Sequence, residues 1–177
     1  MSQGDTSSIE QLEAKIRSIP DFPKAGILFR DITPLLADGP AFKSAVDAMA
    51  APFSNIDHVV SIESRGFIFG APIAYTLGAG LVPVRKVGRL PGNTIQEEYE
   101  LEYGVNTVEI HSDAIKPGQR VIIVDDLLAT GGTIRAAVNL VDRLDAELVG
   151  ISVLIELSDL KGREKLAGQN VQSLIVY

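Results

Sequence analysis

The sequence contains no cysteine, which excludes disulfides, thiolate catalysis and cysteine-ligated metals. Basic residues are in the minority. With 16 Lys and Arg against 23 Asp and Glu, the formal charge is −7. That disfavours non-specific binding to nucleic acid, which depends on neutralising phosphates. A small local basic site stays open. No apolar run approaches the roughly 18 residues of a spanning helix. The N-terminus carries Asp5, Glu10 and Glu13 without an apolar core, so it does not read as a signal peptide. Only two histidines occur, His58 and His111, far apart in the chain. Two common phosphate loops are also missing: neither Gly-x-x-x-x-Gly-Lys-Ser/Thr nor Gly-x-Gly-x-x-Gly after a strand is found. A soluble cytoplasmic protein of one domain, residues 1–177, is expected, with no membrane or nucleic-acid partner.

The most informative stretch present is Val121 to Thr133. Val121, Ile122, Ile123 and Val124 read as a fully buried strand of a parallel sheet. Asp125 and Asp126 follow, expected at the strand's end. Ala129-Thr130-Gly131-Gly132-Thr133 forms a small, glycine-rich turn, and Ile134, Val138, Leu140, Val141 and Leu144 continue with helical spacing. Glycines let amide groups converge on an anion, and a helix N-terminus adds partial positive charge there. The hydroxyls of Thr130 and Thr133 add donors. The two acids would repel phosphate but can accept hydrogen bonds from sugar hydroxyls. Paired carboxylates have little structural reason to sit beside such a turn without a ligand.

Elsewhere, Ser7 to Glu10 has capping-box spacing and predicts a helix near 8–18, ended by Pro20. A loop punctuated by Pro23 and Gly26 carries Phe22, Phe29, Arg30 and Asp31. Asp38-Gly39-Pro40 reads as a second helix start. His58–Ile62 reads as a strand, Glu63-Ser64-Arg65-Gly66 as a polar turn and 67–77 as a helix. Leu81–Val84 is a short strand entering the cationic cluster Arg85, Lys86 and Arg89. Residues 94–103 and 107–110 suggest a hairpin. Leu148–Leu157 is a long apolar strand, 161–166 a short helix and 173–177 a last strand. Strands alternating with helices predict an α/β fold with a mostly parallel sheet. Ligands bind such sheets beyond the carboxyl ends of the strands, which would cluster the turns at 63–66, 85–89, 125–133 and 157–161.

The acidic pair with Thr-Gly-Gly-Thr resembles the phosphoribosyl diphosphate signature of type I phosphoribosyltransferases. Phe29 to Pro34, Glu63 to Phe67, Arg85 to Gly92, Tyr99 to Gly104 and Leu160 to Leu166 resemble the adenine branch of that family. The resemblance implies the type I phosphoribosyltransferase fold: a mostly parallel central sheet flanked by helices, a flexible β-hairpin lid near 92–108 and a small N-terminal hood near 1–35. It implies transfer of phosphoribosyl from phosphoribosyl diphosphate to adenine, giving AMP and pyrophosphate, with Mg²⁺ held mainly by substrate oxygens and water. It places the 5′-phosphate on Ala129, Thr130, Gly131, Gly132 and Thr133, and the ribose hydroxyls on Asp125 and Asp126. Pyrophosphate is expected at Ser64, Arg65, Arg85, Lys86 and Arg89. Arg85 aligns with an arginine that reaches a neighbouring subunit in the family, and a homodimer is implied. Arg89 stands where the family usually has lysine. Adenine is expected to stack on Phe29 near Leu157, its edge read by backbone around Leu28 and Arg30. Plain core packing is the alternative for Phe29, whereas Phe22, Phe67 and Phe69 are assigned to the core. Glu102 matches the family's general acid or base, on the lid beside Tyr103. Two other readings stay open: transfer to a different base such as hypoxanthine, and a non-catalytic sensor of phosphoribosyl diphosphate.

Overall fold

The computed structural model describes residues 8–101 and 104–177. The chain forms two compact units, 1–48 and 49–177.

In the first unit, helix α1 spans Ile9–Glu13. Its capping box is one residue later than the sequence suggests. Ser8 Oγ accepts from the Gln11 amide, and Gln11 Oε1 accepts from the Ser8 amide at 2.8 Å. The helix is also shorter than 8–18. Ile16 and Ile19 keep helical spacing, but Arg17–Pro20 leaves the helix as strand β1 and pairs antiparallel with β2, Leu28–Asp31. Ile19 sits opposite Phe29. Pairing between segments overrides a local helical pattern, and Pro20 cannot extend a helix. Asp31 Oδ1 accepts from the Thr33 amide and starts the short helix α2, Thr33–Ala37. Asp38 Oδ1 accepts from the Ala41 amide and starts α3, Gly39–Ala50, as the Asp-Gly-Pro motif predicts.

The second unit holds a seven-stranded sheet. Its strands are β3 His58–Ile62, β4 Gly80–Lys86, β5 Thr94–Leu101, β6 Gly104–His111, β7 Arg120–Leu128, β8 Glu147–Glu156 and β9 Val171–Val176, in spatial order β5-β6-β4-β3-β7-β8-β9. The run from β4 to β9 is parallel, while β5 and β6 form an antiparallel hairpin joined to the end of β4. Helix α4, Gly66–Leu77, follows β3, and α5, Gly132–Arg143, follows β7. Two short 3₁₀ helices, Ser158–Leu160 and Gly162–Leu166, link β8 to β9.

Alternation along the strands sorts the core. Val60, Ile62, Val121, Ile123, Ile151 and Val153 join Ile134, Val138 and Val141 of α5 in one apolar cluster. Ser61 meets the α4 side. A Cβ at Gly70 would lie 2.2 Å from Ser61 Oγ, so only glycine lets that helix approach so closely. Because β3, β4, β7 and β8 run parallel, the turns that follow them share one sheet edge. Phe69 is buried as expected, and Phe67 is half-buried. Phe22 is a correction: it is 52% exposed rather than core, and it meets Phe29 edge-on at 5.2 Å.

Candidate active site

Strand β7 runs on through Asp125 and Asp126 to Leu128. The acids therefore lie within the ladder to β8, not after its end. Asp125 opposes Val153, and Leu128 opposes Glu156. Asp125 lines a hollow of about 70 Å³ together with Leu127 and every residue from Ala129 to Ile134. Its Oδ1 accepts from the Asp126 amide at 2.9 Å. Asp126 is 5% exposed and forms an ion pair with Arg65 NH2 at 2.8 Å. Burial pushes the Asp125 carboxyl well above its ordinary value, and the adjacent Asp126 charge adds to this. Burial also raises Asp126, against the opposing charge of Arg65.

The glycine turn sits at the foot of α5. Gly131, at φ 78°, is its N-cap. That left-handed conformation suits glycine and swings the following amides toward the hollow. Gly132 and Thr133 are the first helical residues, so their N–H groups have no partner inside the helix. Among the described residues, none of the amides 130–133 donates to a backbone acceptor. A small concavity ringed by amide donors, threonine hydroxyls and a helix N-terminus has the donors to take an anion.

The second turn on this edge, Glu63 to Gly66, is charged. Glu63 grips Arg85 with both oxygens, at 3.2 Å to Nε and 3.0 Å to NH2, and accepts from the Lys86 amide. The Arg85 hydrogen bonds hold the Glu63 carboxyl below its ordinary value. Arg85 NH1 also donates to Arg89 O at 2.9 Å. Ser64, Lys86 and Arg89 are exposed. Gly66 brings this turn against the other, since a Cβ there would lie 2.9 Å from Asp125 Oδ1. The pyrophosphate candidates are thus gathered around β3 and β4, beside the acidic pair. Leu157, half-buried just after β8, donates its amide to Leu128 O at 2.9 Å. The remaining adenine candidates belong to the first unit: Leu28, 48% exposed, with half-buried Phe29 and Arg30 on β2. Arg30 NH1 donates to Ser18 Oγ at 2.6 Å. Glu102 and Tyr103 lie outside the described residues.

A phosphoribosyl transferase domain model matches residues 35–172. The adenine phosphoribosyltransferase of Clostridium perfringens is 59% identical over 168 residues, 94% of this chain and 98% of its own length. The chain belongs to the adenine phosphoribosyltransferase family. The crystal structure of the adenine phosphoribosyltransferase from Thermoanaerobacter pseudethanolicus superposes with a TM-score of 0.92 at 52% identity, covering 96% of this chain and all (100%) of that one. The Saccharomyces cerevisiae adenine phosphoribosyltransferase, complexed with an imino-altritol bisphosphate and adenine, has a TM-score of 0.89 at 43% identity over 94% of this chain and 97% of its own. The chain is therefore an enzyme of the pentosyltransferase class with the type I phosphoribosyltransferase fold.

Three acidic anchors escaped the sequence reading of this family member. Glu63 lies inside a quoted motif, but its grip on Arg85 depends on β3 meeting β4. Glu109, 2% exposed on β6, accepts from the Arg89 and Leu90 amides and from Thr94 Oγ1. Burial alone would raise its carboxyl, but these donors prevail and hold it below its ordinary value. Glu156, at the end of β8, binds Arg163 with both oxygens. No local pattern marks the last two, because their partners lie on other elements.

Proposed function

We propose that the chain transfers the 5-phosphoribosyl group of phosphoribosyl diphosphate to adenine, releasing AMP and pyrophosphate in purine salvage. The single observation that carries this reading is the hollow in which Asp125 and the amide-rich turn 129–133 face the same space. A sugar phosphate matches both halves, with phosphate on the amides and hydroxyls on the carboxylate. The reaction breaks the bond from C1 to the pyrophosphate oxygen while positive charge builds on the ribose ring. Asp125 and Asp126 supply negative charge near that ring as well as acceptors for its hydroxyls. Arg65, with Arg85, Lys86 and Arg89, neutralises the leaving group. Phe29 offers a ring to stack on adenine, and backbone around Leu28 and Arg30 reads its edge. Hypoxanthine, with donor and acceptor reversed, would leave those groups mispaired.

Among the described residues no three His, Cys, Asp or Glu side chains group to cage a metal. Mg²⁺ fits here on substrate oxygens and water, with Asp125 and Asp126 as nearby hard oxygen donors. When bound it would offset the charge of the leaving group. Glu102 serves as the proton-transfer residue at the purine, and the hairpin bearing it closes as a lid. Wild-type single-turnover rates across pH in Glu102→Gln would remove that role. A cytoplasmic homodimer completes the reading. Helix α4 is apolar on most sides, and Ile68, Tyr75 and Leu81 are 37%, 91% and 44% exposed, a surface suited to a second copy of the chain. Light scattering that returned a single-chain mass would refute the dimer.

The deciding assay incubates the protein with phosphoribosyl diphosphate and Mg²⁺, plus either adenine or hypoxanthine. AMP should form with adenine, far faster than any product from hypoxanthine. Equal use of both bases would point to another purine transferase, and binding without product to a sensor.

A further inference from the structure

The phosphate turn does not stand alone. It rests on a second glycine, Gly162, buried at the start of a 3₁₀ helix. A Cβ on Gly162 would lie 2.1 Å from Ala129 O and 3.0 Å from the Gly131 nitrogen. A Cβ on Gly131 would lie 2.4 Å from Gly162 O. Two backbones therefore meet with no side chain between them, which only paired glycines allow. Gly131 holds the positive φ that fans the amides into the hollow, so whatever locates Gly162 also locates the fan.

The residue next to Gly162 is tied to two strands. Arg163 donates from Nε to Glu156 Oε1 at 3.0 Å and from NH2 to Glu156 Oε2 at 2.6 Å. It also donates from NH1 to Val171 O at 3.1 Å and from NH2 to Ser173 Oγ at 3.2 Å. Ser173 Oγ donates in turn to Glu156. Glu156 is 6% exposed at the carboxyl end of β8, and Val171 and Ser173 lie on β9. The guanidinium fork is thus pinned to two rigid strands at once.

We propose that Arg163, clamped on Glu156, is a positioning residue for the phosphoribosyl site: it presses Gly162 against Ala129 and Gly131 and keeps the phosphate turn in its binding shape. The proposal rests on the reading of that turn as the 5′-phosphate grip. A purely structural brace between β8 and β9 would change thermal stability and all kinetic constants together. A positioning brace acts selectively on the phosphorylated substrate.

The test measures ribose 5-phosphate binding by calorimetry, with KM for each substrate, kcat and Tm, in wild type, Arg163→Lys, Arg163→Met and Gly162→Ala. Arg163→Met should weaken ribose 5-phosphate binding and raise KM for phosphoribosyl diphosphate about tenfold. KM for adenine should stay within about twofold. Arg163→Lys, which keeps the charge but loses the fork, should fall between wild type and Arg163→Met and serves as the well-folded control. Gly162→Ala should weaken binding most, because its methyl group meets backbone on the turn. If wild type binds ribose 5-phosphate and the Arg163 variants bind it equally well, the brace is wrong and the phosphoribosyl reading stands. The brace is also wrong if both KM values rise and kcat falls in step with a falling Tm. If wild type binds no ribose 5-phosphate, the phosphoribosyl reading itself falls, and the brace with it.

Discussion

Two strand-to-helix turns stand side by side in this molecule and solve opposite problems. β3 and β7 are parallel neighbours, with Val60 opposite Ile123, so both deliver their turns to one edge. The turn after β3 is made of charges that already have partners: Glu63 holds Arg85, and Arg65 holds Asp126. The turn after β7 carries no charge, and its amides have no backbone acceptor among the described residues. A neutral turn with ready-made donors binds an anion without rearranging, and its cost of ordering is met in folding. A charged turn must exchange an internal partner for the ligand's oxygens, so its contacts form as the substrate arrives. The 5′-phosphate would then be held by a rigid grip and the leaving group by a responsive one.

The largest effect should come from breaking the rigid side. Gly131→Ala forces a side chain into a left-handed position 2.4 Å from Gly162 O. It should lower kcat/KM for phosphoribosyl diphosphate by on the order of 10²- to 10³-fold. Steady-state kinetics would check this. Near-normal kinetics would mean that the turn adapts and the contrast is false.

A smaller loss is expected on the responsive side. On the proposed reading, Arg65→Gln removes a cation from the leaving group, and it leaves the buried Asp126 without its counter-ion. KM for phosphoribosyl diphosphate should rise by about 10- to 100-fold, with steeper inhibition by salt lost in the variant. A fall in kcat with KM unchanged would show instead that Arg65 acts only once the reaction is under way.

The mildest test concerns pH. Arg85 holds the Glu63 carboxyl below its ordinary value, so the unfolded chain binds the proton more readily. The contribution of Glu63 to stability is present above the ordinary carboxylate value. It is lost as pH falls below about 4, through the folded-state value. Glu63→Gln should therefore be less stable than wild type at neutral pH, with the gap closing in acid. Asp125 and Asp126 are raised, act in the opposite sense and cancel in that difference. Thermal melts from pH 7 to pH 3 would reveal it. The neutral turn has no titrating group, so Thr130→Val should shift stability equally at every pH.

The parts of the site that were legible in the sequence are local. Val121 to Thr133 reads correctly as buried strand, glycine turn and helix because each element is set by residues a few positions apart. Even there, the strand's end was misplaced. Apolar patterning stops at Val124, whereas the β8 ladder extends to Leu128 opposite Glu156. The helix expected over 8–18 stops at Glu13 for the same reason in reverse. Its isoleucines fit a helix, but a ladder to Leu28–Asp31 claimed the backbone. Phe22 looked like core because of its chemistry alone, yet it lies half in solvent against Phe29.

By itself, the order of residues determined where a neutral turn meets a helix start, since small residues and hydroxyls lie in one unbroken run. It also determined that strands and helices alternate, because apolar spacing is written along the chain. Tertiary structure alone decided which charges are already paired, how deeply Asp126 is buried and what holds the glycine turn open. Those properties depend on distances between segments such as β3 and β4 or Gly131 and Gly162, and a contact across the fold leaves no local signature in either partner.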